Sequence, residues 1–349
     1  KEDASQQAAC LESCTSTEEN LVIPETIDGY EVVALGDNTF MDNTTAKTIT
    51  IPKTIIGTGL YTFFGCTGVT EYIVDPDNEY YEAVDGILYA EDQTYLVQYP
   101  IGKNPTEFTV PDKVYDIGNS AFAECKSLKT VTIPDSVTSI EGNPFRHLAA
   151  EILVSSDNPT FSVVDGVVFN KDGTRLIACP CNKAGAYEIP QGVLEIGIHA
   201  FENCNDLTAV TIPDSVVSIE GNPFDFAQLE LKLAPENPDF SLIDGVLFDK
   251  AGAKLLVYPC GRPGDTYAVP EGTTEIGAFA FAGCQQLSEV MIPESVTAIE
   301  SDSFWNCENL RLYVWDESYA QQYARERRMD FFCILPDMGP VIDESDVLD

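Results

Sequence analysis

The sequence predicts a repeat solenoid of α/β type, mostly β with short 3-10 segments, wound right-handed and interrupted by three inserted β-hairpin or meander modules. Three observations lead there. The tetrapeptide Val-Thr-Ile-Pro recurs at 131–134 and 210–213, with close variants at 49–52 and 290–293. Its Ile-Pro pairs, at Ile51, Ile133, Ile212 and Ile292, lie 82, 79 and 80 residues apart. Two further landmarks keep step with it. Asp-Gly recurs at Asp85-Gly86, Asp165-Gly166 and Asp244-Gly245, and Phe is followed three residues later by Cys at Phe122/Cys125, Phe201/Cys204 and Phe281/Cys284. A fixed period marks stacked supersecondary units, each too small to bury its own apolar face.

Within each long period a shorter one runs. After Val110-Pro111 come Val114, Ile117 and Phe122, then Leu128, Val131 and Ile133; after Ile133-Pro134 come Val137, Ile140 and Phe145. The unit is about 23 residues, inside the 20–29 of leucine-rich repeats: a strand, Pro, a turn, Ile, a tight turn, Ala-Phe, and the next strand. Eight such coils are expected, at 21–50, 51–74, 108–132, 133–154, 187–211, 212–233, 267–291 and 292–314, so that the solenoid spans 21–314.

The inserts fall at 75–107, 155–186 and 234–266, and each repeats one plan. Asn precedes an aromatic residue (Asn78/Tyr81, Asn158/Phe161, Asn237/Phe240), an apolar run reaches Asp-Gly, and two more strands follow, the last ending at Pro100, Pro180 or Pro259. Asp-Gly between apolar runs signals a tight turn, because Gly takes positive φ without steric cost. Each insert is therefore expected as a small meander riding on the solenoid. The ends differ, as terminal capping demands. Residues 1–20 are polar and expected to be frayed or a loose cover. Residues 315–335 are expected as a cap, with a helix over Ser318–Arg328 carrying Arg325, Arg327 and Arg328 at its C-terminal dipole end, then a strand over Phe331–Leu335. Residues 336–349 read as an acidic tail.

Composition removes whole classes of function. With 19 Lys+Arg against 57 Asp+Glu the net charge is −38, which repels phosphate backbones and anionic headgroups. No nucleic-acid partner is expected, and no apolar run is long enough for membrane insertion. At 44% hydrophobic and 10% aromatic the chain has ample material for a core, so it is not a disordered acidic polymer. Lys1–Ala9 lacks an apolar stretch, and an export signal is expected to lie outside this chain or to have been removed. Eleven cysteines, an odd number, cannot all pair within one chain.

The runs AFAECKSLKTVTIPDSVTSIEGNPF (121–145) and AFAGCQQLSEVMIPESVTAIE (280–300) resemble the BspA-type leucine-rich repeats of bacterial surface proteins. NPTFSVVDGVVFNKDGTRLIACP (158–180) is similar to the hairpin module that alternates with those repeats, and SYAQQYARERRMDFFCI (318–334) to the family's C-terminal cap. The resemblance covers about 21–335 and departs where Pro144 and Pro223 replace the usual Ala before Phe. It implies a secreted or surface-displayed bacterial solenoid, some of whose relatives bind host matrix proteins or other cells. It carries no catalytic residues.

Candidate chemistry is sparse. Cys66, Cys125, Cys204, Cys284 and Cys307 each follow the repeat Phe by three residues, which predicts buried rows of free thiols acting as small hydrophobes. Cys179 aligns with Tyr99 and Tyr258, and Cys181 with Ile101 and Cys260; their state, and that of Cys10 and Cys14, is left open. The two histidines, His147 and His199, sit in slots that vary between repeats, which speaks against a catalytic base or zinc site. Asp75, Asp77, Asn78, Asp157, Asn158, Glu236, Asn237 and Asp239 cluster at the insert entrances; calcium would suit their oxygens, but Asx residues beside Pro are turn formers first. No catalytic residue, metal site or cofactor is therefore expected. What remains is the sheet. With Val131 and Ile133 inward, period-2 alternation points Thr130 and Thr132 outward, and equally Thr48, Thr50, Ala209, Thr211, Glu289 and Met291. Thr48, Thr50, Thr130, Thr132, Thr211, Glu289 and Met291 are the candidate ligand-binding row. The expected function is a non-enzymatic, monomeric, extracellular or cell-surface recognition module for protein or glycan ligands on a host or neighbouring cell. The alternative is a structural spacer or stalk of a larger surface protein, since Thr also simply favours strands.

Overall fold

The computed structural model describes residues 8–90 and 92–335. The expected acidic tail, 336–349, lies outside the described residues. The chain is a mostly β solenoid of stacked coils, with one short helix among the described residues, and it divides into two compact units, Lys1–Ala184 with Gly192–Asp206, and Gly185–Gln191 with Leu207–Asp349.

In the first unit the long strands pair in parallel: Asn20–Val22, Thr48–Ile51 and Glu71–Val74 in one sheet, Glu107–Thr109, Thr130–Ile133 and Glu151–Val154 in another. Alternation sends Ile49, Ile51, Val131 and Ile133 inward, where all four are wholly buried. Pro52 and Pro134 then end the strands, since Pro has no amide to continue a ladder. Their carbonyls accept from the amides of Ile55 (3.3 Å) and Val137 (3.4 Å) and so close a turn. The expected 3-10 segments are isolated turns of this kind, each closed by single bonds, not 3-10 runs.

Aromatic residues fill the interior behind the strands. Phe40 stacks on Phe63 with centroids 5.8 Å apart, and Phe122 lies between Tyr99 (5.9 Å) and Phe145 (5.8 Å). Truncating one such ring costs about 3–5 kcal/mol, so each coil depends on its neighbours for its own core.

On the return side a second set of parallel strands runs: Ala8–Leu11, Tyr30–Leu35 and Gly57–Thr58 in one sheet, Tyr95–Gln98, Asp116–Ile117 and Ser139–Ile140 in a second, and Arg175–Ala178 beside Glu195–Ile196. Two details go beyond the expectations here. The described part of segment 1–20 is not frayed, because Ala8–Leu11 pairs along its length with Tyr30–Leu35 and Leu11 packs on the core. The residues read as inserts do not merely ride on the coils either. Tyr81–Val84, Ile87–Ala90 and Tyr95–Gln98 pair antiparallel, yet Tyr95–Gln98 also pairs in parallel with Asp116–Ile117. Tyr99 then takes the place of the repeat Phe in the aromatic row. Phe161–Val164, Val167–Asn170 and Arg175–Ala178 repeat the plan. The third strand is thus a rung of the stack.

The second unit is built alike. Gly185–Glu188, Leu207–Ile212 and Glu230–Leu233 form one parallel sheet; Thr266–Ala268, Glu289–Ile292, Arg311–Trp315 and Asp330–Ile334 form another. Phe240–Ile243, Val246–Asp249 and Lys254–Val257 are antiparallel, and Lys254–Val257 leads into parallel Glu275–Ile276 and Ala298–Ile299. Tyr258, Phe281, Phe304 and Tyr323 continue an aromatic row at 5.2, 4.9 and 6.2 Å. Tyr323 belongs to the helix Tyr319–Glu326, which closes this core with Ala320 and Ala324. Ser318 caps it by accepting from the Gln321 amide at 3.2 Å, and Arg325 faces its C-terminal dipole.

Candidate functional site

The long-strand sheets place the predicted row as follows. Thr50 lies between Val22 and Ile73, and Thr48 between Asn20 and Glu71. Thr132 lies between Thr109 and Leu153, and Thr130 between Glu107 and Glu151. In the second unit Thr211 stands between Glu188 and Lys232, Met291 between Ala268 and Tyr313, and Glu289 between Thr266 and Arg311. All seven point away from the core. The threonines and Glu289 are half-buried, whereas Met291 is exposed. Ala209, expected outward, is buried, although it pairs in register with Ala186 and Glu230, two residues before Thr211. The outward face carries more apolar surface than the threonines announced: Val22 is 65% exposed, and Ile73, Leu153, Met291 and Phe332 each exceed 40%. Tyr313 packs on Phe332 at 5.6 Å and donates to Glu289 at 2.9 Å, which pushes its hydroxyl pKa up.

The insert entrances are occupied by backbone. Asn78 donates to the carbonyls of Pro52 (2.8 Å) and Ile55 (3.1 Å) and accepts from the amides of Tyr80 and Tyr81, both at 2.8 Å. Asn158 repeats this with Pro134, Val137, Thr160 and Phe161. The side chain ties the turn after Pro to the first strand of the module. At the far end, Asp85 and Gly86 (φ 51° and 75°) make the tight turn, and the Lys103 ammonium reaches the Asp85 carbonyl; Lys183 at Asp165 and Arg262 at Asp244 do the same.

What sequence reasoning missed is a buried ionic network in the first unit, at the turns around the repeat Phe. Arg146, 1% exposed, pairs through Nε and Nη2 with the fully buried carboxylate of Glu202, the latter bond being 2.7 Å. Its guanidinium lies over the rings of Tyr61 (4.8 Å) and Phe64 (5.1 Å). His147 bridges Glu202 (3.0 Å) and Glu124 (3.3 Å), and His199 meets the Tyr61 hydroxyl at 3.3 Å. Burial opposes the charge on Glu202, but Arg146 and His147 hold its carboxyl well below the usual range. Burial likewise opposes an imidazolium at His147, yet its hydrogen bonds to Glu124 and Glu202 push it up to about 9. Arg146 and Glu202 are shut off from solvent, so the pair ties neighbouring coils together. The one legible signal was that Arg146 and Glu202 depart from the residues at the same slots elsewhere.

The cysteines divide. Cys66, Cys125 and Cys204 are buried free thiols, with burial pushing Cys66 up to about 12, and Cys307 is partly exposed. Cys284 corrects the expected row, because it is disulfide-bonded to Cys260, with their Cα atoms 4.7 Å apart. Cys10, Cys14, Cys179, Cys181 and Cys333 are free.

The family profile of the BspA type leucine rich repeat region matches residues 7–83, 101–170, 178–242 and 265–323, in six copies. Among solved structures, the chain is similar to a leucine rich cell surface protein from Faecalibacterium prausnitzii, at 25% identity and a TM-score of 0.40, over 92% of this chain and 94% of that one. It is also similar to a leucine-rich repeat protein from Eubacterium ventriosum (19%, TM-score 0.42, 89% of this chain and 72% of that one) and to the pneumococcal vaccine antigen PcpA (18%, TM-score 0.42, 94% and 92%). No curated protein matches it.

Proposed function

The chain belongs to the BspA-type leucine-rich repeat family, and from that premise we propose that it is a non-enzymatic recognition module of a secreted or surface-displayed protein. We read its winding as right-handed, with the meanders as modules of the same array. The ligand is a protein or glycan on a host or neighbouring cell, held on the outward face of the long-strand sheets. One observation carries this reading. Val22, Ile73, Leu153, Met291 and Phe332 are exposed on faces where solubility alone would place polar side chains. Glu71, Glu151 and Glu289 stand two residues before Ile73, Leu153 and Met291 in the same strands, so the face selects basic or cation-bridged partners. The spacer reading draws its support from the half-buried threonines, which suit any strand.

The test is binding of the purified chain to an array of host matrix proteins, mucins and glycans, with and without calcium. Saturable binding that falls at least about tenfold in Thr132→Lys/Thr211→Lys or in Val22→Lys/Ile73→Lys supports the proposal. Binding that no substitution on the sheet face alters removes that face as the site. Uniform silence from a folded sample favours the spacer.

A further inference from the structure

Cys181 and Cys204 lie 79 and 80 residues before Cys260 and Cys284, the pair that is already bonded. The correspondence extends to the atoms around the sulfurs. Cys260 Sγ sits 3.5 Å from the carbonyl of Ala282, and Cys181 Sγ sits 3.3 Å from that of Glu202, the same position one period earlier. Cys284 Sγ sits 3.7 Å from the carbonyl of Tyr258, and Cys204 Sγ sits 3.5 Å from that of Cys179, again its counterpart. The backbone that carries them repeats too: Tyr258 N–H donates to Ala280 at 2.8 Å, Cys179 N–H to Ala200 at 2.7 Å. A disulfide needs a narrow range of Cα and Cβ separations, and the later pair shows that this frame supplies it.

We propose that Cys181 and Cys204 are a disulfide-forming pair, in which Cys181 takes up a low-molecular-weight disulfide and Cys204 closes the bond. The order follows from their surroundings. Cys181 is partly exposed, while Cys204 is buried. Contact with Cys204 and the nearby His147 lower the Cys181 thiol, whereas contacts with Cys179 and Cys181, together with burial, raise Cys204. The thiolate of Cys181 attacks one sulfur of R–S–S–R, forming Cys181–S–S–R and expelling R–S⁻. Cys204 gives its proton to the expelled R–S⁻ and attacks the Cys181 sulfur, and the second R–S⁻ leaves and takes a proton from water. Two protein thiols lose two electrons in all, and the small disulfide is reduced to two thiols. Cys179 is not a partner in this scheme: it occupies the slot of Tyr99 and Tyr258, and its counterparts carry no sulfur. The inference is independent of the ligand-binding proposal.

The experiment uses the full chain, reduced, freed of reductant and incubated with oxidised glutathione, then digested with trypsin without reduction and weighed. Residues 176–183 hold Cys179 and Cys181, and residues 184–232 hold only Cys204, so the cross-linked peptide pair is diagnostic. The expected result is that pair in the native chain and in Cys179→Ser, its loss in Cys181→Ser, and a glutathione adduct trapped on Cys181 in Cys204→Ser. Absence of the pair in the native chain, or its persistence in Cys181→Ser, overturns the proposal. Should a variant not fold, alkylation of the reduced native chain decides: Cys181 must react at least about tenfold faster than Cys204, and equal rates overturn the assigned order.

Discussion

Replacing Arg146 with Met removes the guanidinium and keeps most of the stem's volume, so the change is electrostatic and leaves little cavity. Arg146 and Glu202 are buried together, and the guanidinium also covers Tyr61 and Phe64 at 4.8 and 5.1 Å. In the variant the Glu202 carboxylate stays buried, with His147 at 3.0 Å and His199 at 4.0 Å still beside it. Breaking one side of a buried pair costs about 3–5 kcal/mol. The contacts to the two rings belong to the same cation and do not add in full. The expected loss is therefore about 4 kcal/mol, a large share of the roughly 5–15 kcal/mol that holds a domain folded. Adding Glu202→Leu removes the stranded charge and should restore most of it, since buried pairs are often replaced by apolar residues at little cost. The assay is urea unfolding followed by far-UV circular dichroism and tyrosine fluorescence, because Trp305 and Trp315 both lie in the second unit. A loss under about 1 kcal/mol, or a double variant no more stable than the single one, would show that water solvates these charges and that the burial argument fails.

The same network sets a pH dependence. His147 is raised from its ordinary value near 6.5 to about 9, so its contribution is fully present below 6.5 and is lost as pH climbs through 9. The ceiling is roughly 3 kcal/mol, and unfolding midpoints measured from pH 6 to 10 should flatten in His147→Gln; an unchanged alkaline limb refutes the assignment. Glu202 is depressed, so its contribution is present above the ordinary value of 4.5 and is lost as pH falls below it, which steepens acid unfolding. Asn158→Ala deletes four hydrogen bonds to backbone groups at once, and should cost about 3 kcal/mol by thermal or urea unfolding. An effect of a few tenths would mean that water replaces the side chain in the turn.

The fold was legible because its rules are local and recur. Ile-Pro ends a strand wherever it stands, Asp-Gly turns a hairpin, and an inward Phe every coil marks the core row. One feature of the meanders was hidden in the sequence, and the reason is chemical. Their third strands are followed by Tyr99, Cys179 and Tyr258 where a repeat Phe was the expected signature, so the rung they contribute was hidden by the substitution of one buried side chain for another. The described N-terminal residues were hidden for a different reason. Ala8–Leu11 carries too few large apolar residues to announce a strand, and forms one because Tyr30–Leu35 offers an unpaired edge that backbone hydrogen bonding fills regardless of side chain.

The site was less legible, for a reason that repeats make general. Aligning coils reads each slot by itself, and a slot that differs in every copy looks like tolerated surface. Arg146 aligns with Asp225 and Trp305, and Glu202 with Ala123 and Ala282, so neither slot has a consensus. Yet in the folded unit Arg146 needs Glu202, His147 needs Glu124 and Glu202, and Tyr61 reaches across to both Arg146 and His199. Each odd residue answers another, 23 to 138 residues away. Irregularity at one slot is then only half a signal, and its complement at a neighbouring coil is the other half. The cysteines obey the same logic in reverse. Cys284 was visible as a repeat position and Cys260 only as a residue aligned with Cys181 and Ile101, and the stacking of coils is what brings them within bonding distance.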